Sequence, residues 1–590
     1  MRRVLALSAV IAPCTLFLLH CIGEAPPIAA RDPADAGVGV DGRSGDAAEV
    51  NDARLDAPDT SDAALPVACS NGVKDGAETD LDCGGSACAP CANTKACRGD
   101  LDCVSGRCWT NGTCGPWAKR IGGSQWEFLN AMAGDAAGNL YVAGRFSYDS
   151  SGNATAAIAD FGLADGGVSA NGSGFLAKIS RTGQTEWVKV LRGSTGFEQV
   201  MTLALAPDGD IVVTGGVNSL GLGFSGVVPT GSTNLARFAP DGTLRWERFY
   251  ALKGGSALAV DAVGDIFEVG IKDDSNAFTF PLADGGAFTF VNHPGSGRPD
   301  GFVMKFRGID GQLLWGKDLG ASFGDGVGYS PRQDWHCSIQ TDVSGDLWVS
   351  GFLEDGWVPA ALGLDAGVHS GTAHYDGYVA RLAGQTGQTI SARVFLSSAP
   401  EAVVTGGVAA ASPGEVILTG AAGGAVNLGG ADGGSGNDAF IGRYRSDAPA
   451  GAGFTHLWSV RGTGANSTGD LAGPPSVAAS GSVTVAGYFA GTALTFGAET
   501  IQRPDAGNLS NGFVTKLSPA GTVSSLRLLS STGPLWAWFN HANSTSANVV
   551  VAGTFSGTAS LGAETPLVGD TAIFFGVPGD IFIVSLGNLP

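Results

Sequence analysis

Basic residues are scarce in this 590-residue chain, which carries 34 lysines and arginines against 55 aspartates and glutamates. The net charge of −21 would repel a phosphate backbone, and no basic stripe offsets it locally. We therefore expect no nucleic-acid partner. Anionic lipid surfaces are disfavoured for the same reason, so any membrane attachment should come from a covalently bound lipid rather than a basic patch.

Helical periodicity is also missing. After residue 20 no stretch repeats apolar residues with the helical period of 3.6 residues. Short runs of aliphatic and aromatic residues alternate with turn residues instead. Glycine contributes 93 residues, roughly twice its ordinary ~7% share, without the every-third-residue period of collagen. This pattern predicts a nearly all-β chain with many tight turns.

The first twenty residues have the pattern of a secretory signal peptide. Arg2 and Arg3 precede an apolar run from Val4 to Leu19, which is too short to favour a membrane-spanning helix. We therefore assign residues 1–20 to a signal peptide and exclude them from the fold.

The residues at the end of this leader, Leu18-Leu19-His20-Cys21, resemble the lipobox of bacterial lipoproteins. That resemblance implies acylation of Cys21, which would place the protein at the outer membrane or cell surface as a lipoprotein. The alternative is cleavage of an ordinary leader near Ala25 or Ala30, which would give a secreted protein.

A segment poor in apolar residues follows. Residues 24–68 contain ten acidic residues and three arginines, but no lysine and no aromatic residue. Such a composition cannot bury enough apolar surface to offset the entropy of ordering. We predict that residues 21–68 form a disordered acidic linker.

Residues 69–114 concentrate eight of the eleven cysteines. The even count, the export signal and a single aromatic residue, Trp109, predict a disulfide module with almost no core of its own, whose connectivity stays open. The cysteines are Cys69, Cys83, Cys88, Cys91, Cys97, Cys103, Cys108 and Cys114. Zinc binding through the Cys88-x-x-Cys91 pair is an alternative, although no second such pair follows.

The stretch from Cys69 to Gly85 resembles cysteine-rich segments of secreted and surface proteins from myxobacteria and marine bacteria. This resemblance implies an extracellular setting rather than an activity. With Cys14 lost in the leader and Cys21 acylated, Cys337 should be a buried free thiol.

Four acids of this module, Asp75, Glu78, Asp80 and Asp82, could supply hard oxygen ligands to Ca²⁺. The favoured interpretation is that they are solvated acids of a small disulfide module. We therefore predict no cofactor and no bound metal, with calcium at these four acids as the alternative.

One unit returns seven times from Trp117 onward. It begins at Trp117, Trp187, Trp246, Trp315, Ile390, Trp458 and Ser525. A second motif, such as Gly138-Asn-Leu-Tyr-Val-Ala-Gly144, and a third, such as Phe175-Leu-Ala-Lys-Ile, follow in each unit. Each unit supplies four short β runs, and radial repetition of four-stranded sheets builds a β-propeller.

The chain ends predict how this ring closes. Trp117 opens an outermost strand, whereas the chain finishes on the strand that should precede it, so both termini would complete one blade. Residues 115–590 are accordingly predicted to be a seven-bladed β-propeller. Inserts between the second and third strands, such as 162–173 and 283–299, should form loops or extra hairpins on one face.

The unit resembles a bacterial repeat family with the pattern Gly-Asn-hydrophobic-Tyr-Val-x-Gly followed by Phe-Val-Ala-Lys-Leu, identified with seven-bladed propellers. The resemblance implies a fold and a surface location, since that family has no single activity. The recurring tryptophans should fill the core between blades, whereas Trp357, Trp536 and Trp538 lie off that register and are candidates for exposed aromatic residues.

No catalytic residue is predicted, because the chain has no GxSxG, HExxH or EF-hand motif. We expect a monomeric, non-enzymatic binding or scaffold protein that engages an extracellular protein or polysaccharide with one propeller face. The alternative is an extracellular carbohydrate-active enzyme, a lyase or hydrolase, with its site at the propeller channel.

The lipid anchor can be tested directly. Metabolic labelling with a fatty-acid analogue should mark the mature protein, and Cys21→Ala should abolish the label because the acyl acceptor is lost. Cys337→Ala is the matched control and should label normally. Persistent labelling of the Cys21→Ala protein would show that the lipid is placed wrongly.

Overall fold

The computed structural model describes the chain from residue 69 onward, with gaps. The predicted signal peptide, Cys21 and the acidic linker therefore lie outside the described residues. The described residues are 69–123, 125–148, 156–163, 168–171, 173–191, 198–216, 223–227, 233–250, 255–272, 278–290, 300–319, 336–354, 362, 375–395, 403–423, 426–430, 438–446, 453–464, 470–504, 510–542, 548–569, 573–574 and 577–589.

From Trp117 onward the regular secondary structure of the described residues is strand, as the sequence predicts. A short 3₁₀ helix spans Asp100–Asp102, and the described residues include no helix long and apolar enough to cross a bilayer. The strands are, in chain order, β1 (Trp117–Gly123), β2 (Trp126–Gly134), β3 (Leu140–Tyr148), β4 (Ala156–Asp160), β5 (Val168–Asn171), β6 (Ser173–Ile179), β7 (Thr185–Leu191), β8 (Gln199–Leu205), β9 (Ile211–Gly216), β10 (Thr233–Phe238), β11 (Leu244–Tyr250), β12 (Gly255–Val260), β13 (Ile266–Lys272), β14 (Phe278–Pro281), β15 (Ala287–Phe290), β16 (Asp300–Phe306), β17 (Leu313–Asp318), β18 (His336–Thr341), β19 (Leu347–Glu354), β20 (Tyr375–Leu382), β21 (Thr389–Phe395), β22 (Val403–Ser412), β23 (Glu415–Ala422), β24 (Asp438–Ser446), β25 (Phe454–Thr463), β26 (Leu471–Val477), β27 (Val483–Phe489), β28 (Ala493–Phe496), β29 (Glu499–Gln502), β30 (Asn511–Leu517), β31 (Val523–Ser531), β32 (Leu535–Ala542), β33 (Asn548–Phe555), β34 (Thr558–Ser560), β35 (Leu567–Val568), β36 (Ile573–Phe574), β37 (Val577–Pro578) and β38 (Asp580–Asn588).

Seven antiparallel blades arise from these strands, which confirms the predicted fold. From the innermost strand outward they are β2-β3-β6-β7, β8-β9-β10-β11, β12-β13-β16-β17, β18-β19-β20-β21, β22-β23-β24-β25, β26-β27-β30-β31 and β32-β33-β38-β1. The first strand of each blade contacts the first strand of the next, and β32 contacts β2, so the ring is closed.

The seventh blade joins the two ends of the propeller, as predicted. Its outermost strand is β1, which pairs antiparallel with β38 from Trp117 opposite Ser585 to Ile121 opposite Ile581. Arg120 adds an ion pair across this seam, with its Nη2 2.8 Å from Oδ1 of the fully buried Asp580. The pairing leaves no free edge between the first and last blades.

The two ends of the blades form different faces. Tight turns join strands one to two and three to four at one end, which we call the turn face. The insertions between strands two and three and the crossings between blades lie at the other end, the insert face.

Several insertions fold as hairpins rather than loose loops. The hairpins β4-β5, β28-β29 and β34-β35 each pair with the outermost strand of the preceding blade and extend its sheet to six strands. The hairpin β14-β15 forms its own small sheet, with Phe280 against Tyr250 of the preceding blade. The insertions therefore widen the outer rim at the insert face.

The recurring tryptophans connect neighbouring blades through their indole N–H groups. Each of five rings donates to a backbone carbonyl in the outer turn of the next blade, at 3.0 to 3.2 Å. The pairs are Trp117 with Arg181, Trp187 with Pro240, Trp246 with Gly308, Trp315 with Gly384 and Trp458 with Pro519. Trp117 is buried and the other four rings are half-buried against the cores between blades, so each indole packs there and also joins neighbouring blades. We call these contacts the tryptophan latches.

A second contact recurs within the blades and involves the basic residue of the third motif. Lys305, only 2% exposed, lies 2.9 Å from Asp261 and 3.5 Å from Asp265. Arg381 bridges Asp342 and Asp346 in the next blade in the same way. A buried cation needs such partners, because removal of the opposite charge would leave it uncompensated.

Four disulfides hold the module that precedes β1. They join Cys69 to Cys88, Cys83 to Cys91, Cys97 to Cys108 and Cys103 to Cys114. All eight predicted cysteines are therefore paired with one another. Because Cys88 and Cys91 belong to different disulfides, neither thiolate is free to bind zinc.

The tryptophan latch predicts a difference between two glycines of the fourth blade. Both Gly387 and Gly345 have positive φ, 67° and 79°, but a Cβ on Gly387 would lie 2.8 Å from the Trp315 ring, whereas one on Gly345 would meet nothing within 4 Å. Gly345→Ala should cost about 1–2 kcal/mol from backbone strain. Gly387→Ala should cost about 1–3 kcal/mol more because the ring must move.

Chemical denaturation of both variants measures this difference in the free energy of unfolding. Equal losses in Gly387→Ala and Gly345→Ala would contradict the latch.

Candidate functional site

The four acids proposed as calcium ligands each accept hydrogen bonds from the module's own loops. Asp82 accepts the amides of Asn71 and Gly72, and Asp80 accepts those of Leu81 and Ala96. The bonds from the Ala96 and Leu81 amides, together with Lys95, lower the pKa of Asp80.

The other two acids are equally engaged. Glu78, only 1% exposed, accepts the amides of Asp75 and Asp82, and the Asp75 carboxylate accepts the side-chain amide of Asn71. Within the described residues, the groups of three that could hold a metal are built on disulfide-bonded cysteines. Calcium binding at the four acids stays a prediction, and their visible role is to brace loops that lack an apolar core.

Aromatic residues gather on the insert face where the first strands of neighbouring blades begin. The Trp536 ring, half-buried at the start of β32, stacks on Tyr488 with ring centroids 5.4 Å apart and planes 23° apart. In the adjacent first blade, Trp126 and Phe128 lie together, and the Arg145 guanidinium sits 4.5 Å from the Phe128 centroid. We call Tyr488, Trp536, Trp126 and Phe128 the aromatic arc.

The register of the blades makes two members of this arc equivalent. A bulge interrupts the first strand after Leu129 in blade one and after Ala537 in blade seven. Phe128 and Trp536 each precede that bulge by one residue, so the repeat places their side chains on the same side of neighbouring blades. Both side chains are partly exposed at the insert-face ends of these strands.

A buried carboxyl group lies close enough to Tyr488 to contribute, after burial, to the raised pKa of that residue. Asp470 is fully buried just before β26 and accepts the Ala490 amide through Oδ1, while no donor among the described residues reaches Oδ2. Burial raises the pKa of Asp470 to about 7, the nearby Asp438 carboxylate adds to the rise, and the bond from Ala490 opposes it. Asp438 itself is held by Arg461 at 2.9 Å.

This acid belongs to a recurring position. Glu127, Glu198 and Asp470 each precede the first-strand bulge by two residues, and each is at most 1% exposed. These acids were not predicted from the sequence, although an acid shortly before the first β run of several units is a readable signal. Tyr488 was missed as well, because it directly follows the final glycine of the second motif and has no distinctive neighbour.

Other predicted residues lie outside the described part of the chain. Trp357 belongs to a stretch that the structure does not describe, and the side chains of Trp538 and Cys337 are likewise outside the described residues. Trp536, which sequence register marked as a candidate for exposure, is the one of the three that can be placed.

The turn face holds a cavity of about 540 Å³ between the second and third blades. Its charged side chains are paired with each other or with neighbouring acids: Arg237 with Asp208 and Asp210, and Arg307 with Asp310. Because these charges are already neutralised, the cavity offers a ligand less than the aromatic arc does.

A second carboxyl group is buried between the second and third blades. Glu268 is fully buried, its Oε1 lies 3.0 Å from the Thr214 hydroxyl, and its Oε2 accepts the Tyr250 hydroxyl. Burial raises the pKa of Glu268 to about 7 against the opposing effect of both hydrogen bonds. The residue stands where other units place an apolar or small residue, so it is specific to this junction.

No protein-family model and no curated protein matches this chain. Among solved structures it is similar to the propeller of Dos1, with 9% identity over 80% of this chain and 95% of that one and a TM-score of 0.39. It is also similar to BamB from Moraxella catarrhalis, with 12% identity over 78% of this chain and 85% of that one and a TM-score of 0.31.

A quinohemoprotein alcohol dehydrogenase from Comamonas testosteroni is also similar, with 10% identity over 81% of this chain and 77% of that one and a TM-score of 0.31. These similarities carry no argument about function. Membership of the bacterial repeat family, and the lipoprotein and myxobacterial resemblances, therefore stay predictions.

Glu268 predicts how stability varies with pH. Because its pKa is raised above the unfolded value, the unfolded chain ionises first, and stability should fall as the pH rises from about 4.5 to 7 and then level off. Glu268→Gln cannot ionise, so its stability relative to the wild type should improve by up to about 3 kcal/mol between pH 4.5 and 8. Urea denaturation of both proteins across this pH range measures the difference between their free energies of unfolding. A difference that does not change with pH would contradict the ionisation of a buried Glu268.

Proposed function

We propose that the protein is a non-enzymatic binding protein whose propeller engages an extracellular polysaccharide at the aromatic arc of the insert face. The observation that carries this proposal is the Trp536 ring, which is partly exposed at the channel mouth and held by stacking on the buried Tyr488. A fixed aromatic face is suited to sugar rings because it offers apolar area with few rotatable bonds to order.

The equivalence of Trp536 and Phe128 supports a long ligand over a small one. Two partly exposed rings on adjacent blades, facing the same way, could each stack against a different unit of a chain. The net charge of −21 favours a neutral or cationic polymer over a strongly anionic one.

The position of the cysteine-rich module is consistent with display at a surface. The module packs on the turn face beside Arg181 and Leu586, at the end of the propeller opposite the aromatic arc. If Cys21 carries a lipid, the insert face would be free to point away from the membrane. We keep the outer membrane or cell surface as the proposed location, with secretion as the alternative, and a monomer as the proposed state.

An enzyme acting on carbohydrate remains the rival proposal. Asp438 and Asp470 are carboxyl groups close enough for one to raise the pKa of the other, which is a feature of acid and base pairs in glycoside hydrolysis. Both are buried, however, and Asp438 is neutralised by Arg461. We therefore favour a supporting role for Asp470 close to Tyr488.

A binding screen on the full mature protein tests the proposal. Neutral and cationic polysaccharides would be titrated while intrinsic tryptophan fluorescence and calorimetry are followed. Trp536→Ala and Phe128→Ala should each weaken binding by about tenfold, corresponding to roughly 1–2 kcal/mol for a lost ring contact.

Val263→Ser is the control, because Val263 is 80% exposed on the turn face and should leave binding unchanged. Wild-type affinity in Trp536→Ala, or an equal loss in Val263→Ser, would refute the assignment of the arc. Binding of an extracellular protein that depends on Trp536, without any polysaccharide binding, would replace the ligand class. Release of cleaved sugar that Asp470→Asn abolishes would favour the enzyme.

A further inference from the structure

The seventh blade lacks one connection that a blade normally has. In the other blades the third and fourth strands are joined by the chain itself, but in the seventh blade they are β38 and β1, at opposite ends of the propeller. Hydrogen bonds between strands, rather than a turn, must therefore hold that pair together. Cys114 lies three residues before β1, so the cysteine-rich module stands where the missing turn would be.

The module forms hydrogen bonds to the end of β38. The Asn93 side-chain amide donates to the Leu586 carbonyl at 2.7 Å, and the Ser585 hydroxyl donates to the Ser105 carbonyl at 2.8 Å. Ser105 and Ser585 are both fully buried, so water is excluded from this contact. Gly587, at φ 71°, fits closely, since a Cβ there would lie 2.5 Å from the Asn93 side chain.

The module also contacts the first blade. Arg181, in the outer turn of that blade, donates from Nη2 to the Cys103 carbonyl at 2.8 Å. Its own carbonyl accepts the Trp117 indole at 3.1 Å, which is the latch between the seventh and first blades. Gly106 lies against the same carbonyl, so close that a Cβ would be 2.1 Å away.

The residues that make these contacts are held by the module's own disulfides. Cys103 bonds to Cys114, which ties the segment 103–106 to the residues that lead into β1. A rearrangement of that segment would therefore disturb β38, Arg181 and the start of β1 together.

We propose that the cysteine-rich module is a clamp that replaces the missing turn and keeps the closing blade shut. The Cys103–Cys114 bridge is the part of the clamp that matters most, because it connects all three contacts. This assignment is independent of the ligand of the propeller.

Hydrogen exchange measured by mass spectrometry on the full mature protein tests the clamp. Cys103→Ser/Cys114→Ser should speed exchange in β1 and β38 by about tenfold or more, because local opening of the seam becomes easier. Exchange in β17, the outermost strand of the third blade, should not change. Cys69→Ser/Cys88→Ser removes a bridge of the same chemistry whose cysteines do not supply the contacts described above, and should leave β1 protected.

Asn93→Ala provides a second variant in which all disulfides remain. It should speed exchange in the same two strands by a smaller factor, about three- to tenfold for one lost hydrogen bond. Unchanged protection of β1 and β38 in both Cys103→Ser/Cys114→Ser and Asn93→Ala would overturn the proposal. Equal loss of protection in β17 would overturn it as well, since the module would then support the fold in general and not the seam.

Discussion

The pairing of β1 with β38 is the contact on which the ring depends. A propeller blade is a small sheet with apolar residues on both faces, and each face must be covered by a neighbouring blade. Each of the other six blades takes its four strands from one stretch of the chain, but the seventh gains its fourth strand only when residues 117–123 pair with the strand at 580–588. Until that pairing forms, the outer edge of β38 has no partner strand. At this seam the fully buried Asp580 carboxylate pairs with Arg120, whose side chain stays partly exposed.

The motif residues of the repeat act mainly through partners in other parts of the unit or in the next blade. The third-motif cation Lys305 meets Asp261 and Asp265, which flank the turn before the second strand. Trp246 covers Gly311 and donates to Gly308, both in the following blade. A change at one motif residue is therefore transmitted to a neighbour about 60 residues away, which explains why the motifs recur in fixed order while the inserts between them vary in length.

Much of the fold could be predicted because the same sequence pattern occurs seven times. The count of blades, the strand content and the closing strand all followed from the spacing of Trp117 and its equivalents. Disulfide connectivity could not follow, because eight cysteines allow 105 pairings and spacing alone does not choose among them. The residues of the candidate site were still harder to predict from the sequence. Trp536 was visible as a tryptophan off register, but its equivalence to Phe128 depends on bulges that sequence periodicity does not reveal.

The cysteine-rich module and the aromatic arc lie at opposite ends of the propeller. The disulfide module occupies the turn face at the closing seam, where its loops, whose own core consists of cysteines, form hydrogen bonds to the propeller. The aromatic arc lies at the other end of the same blades, around the channel mouth. Binding at the arc would therefore not compete with the module for space.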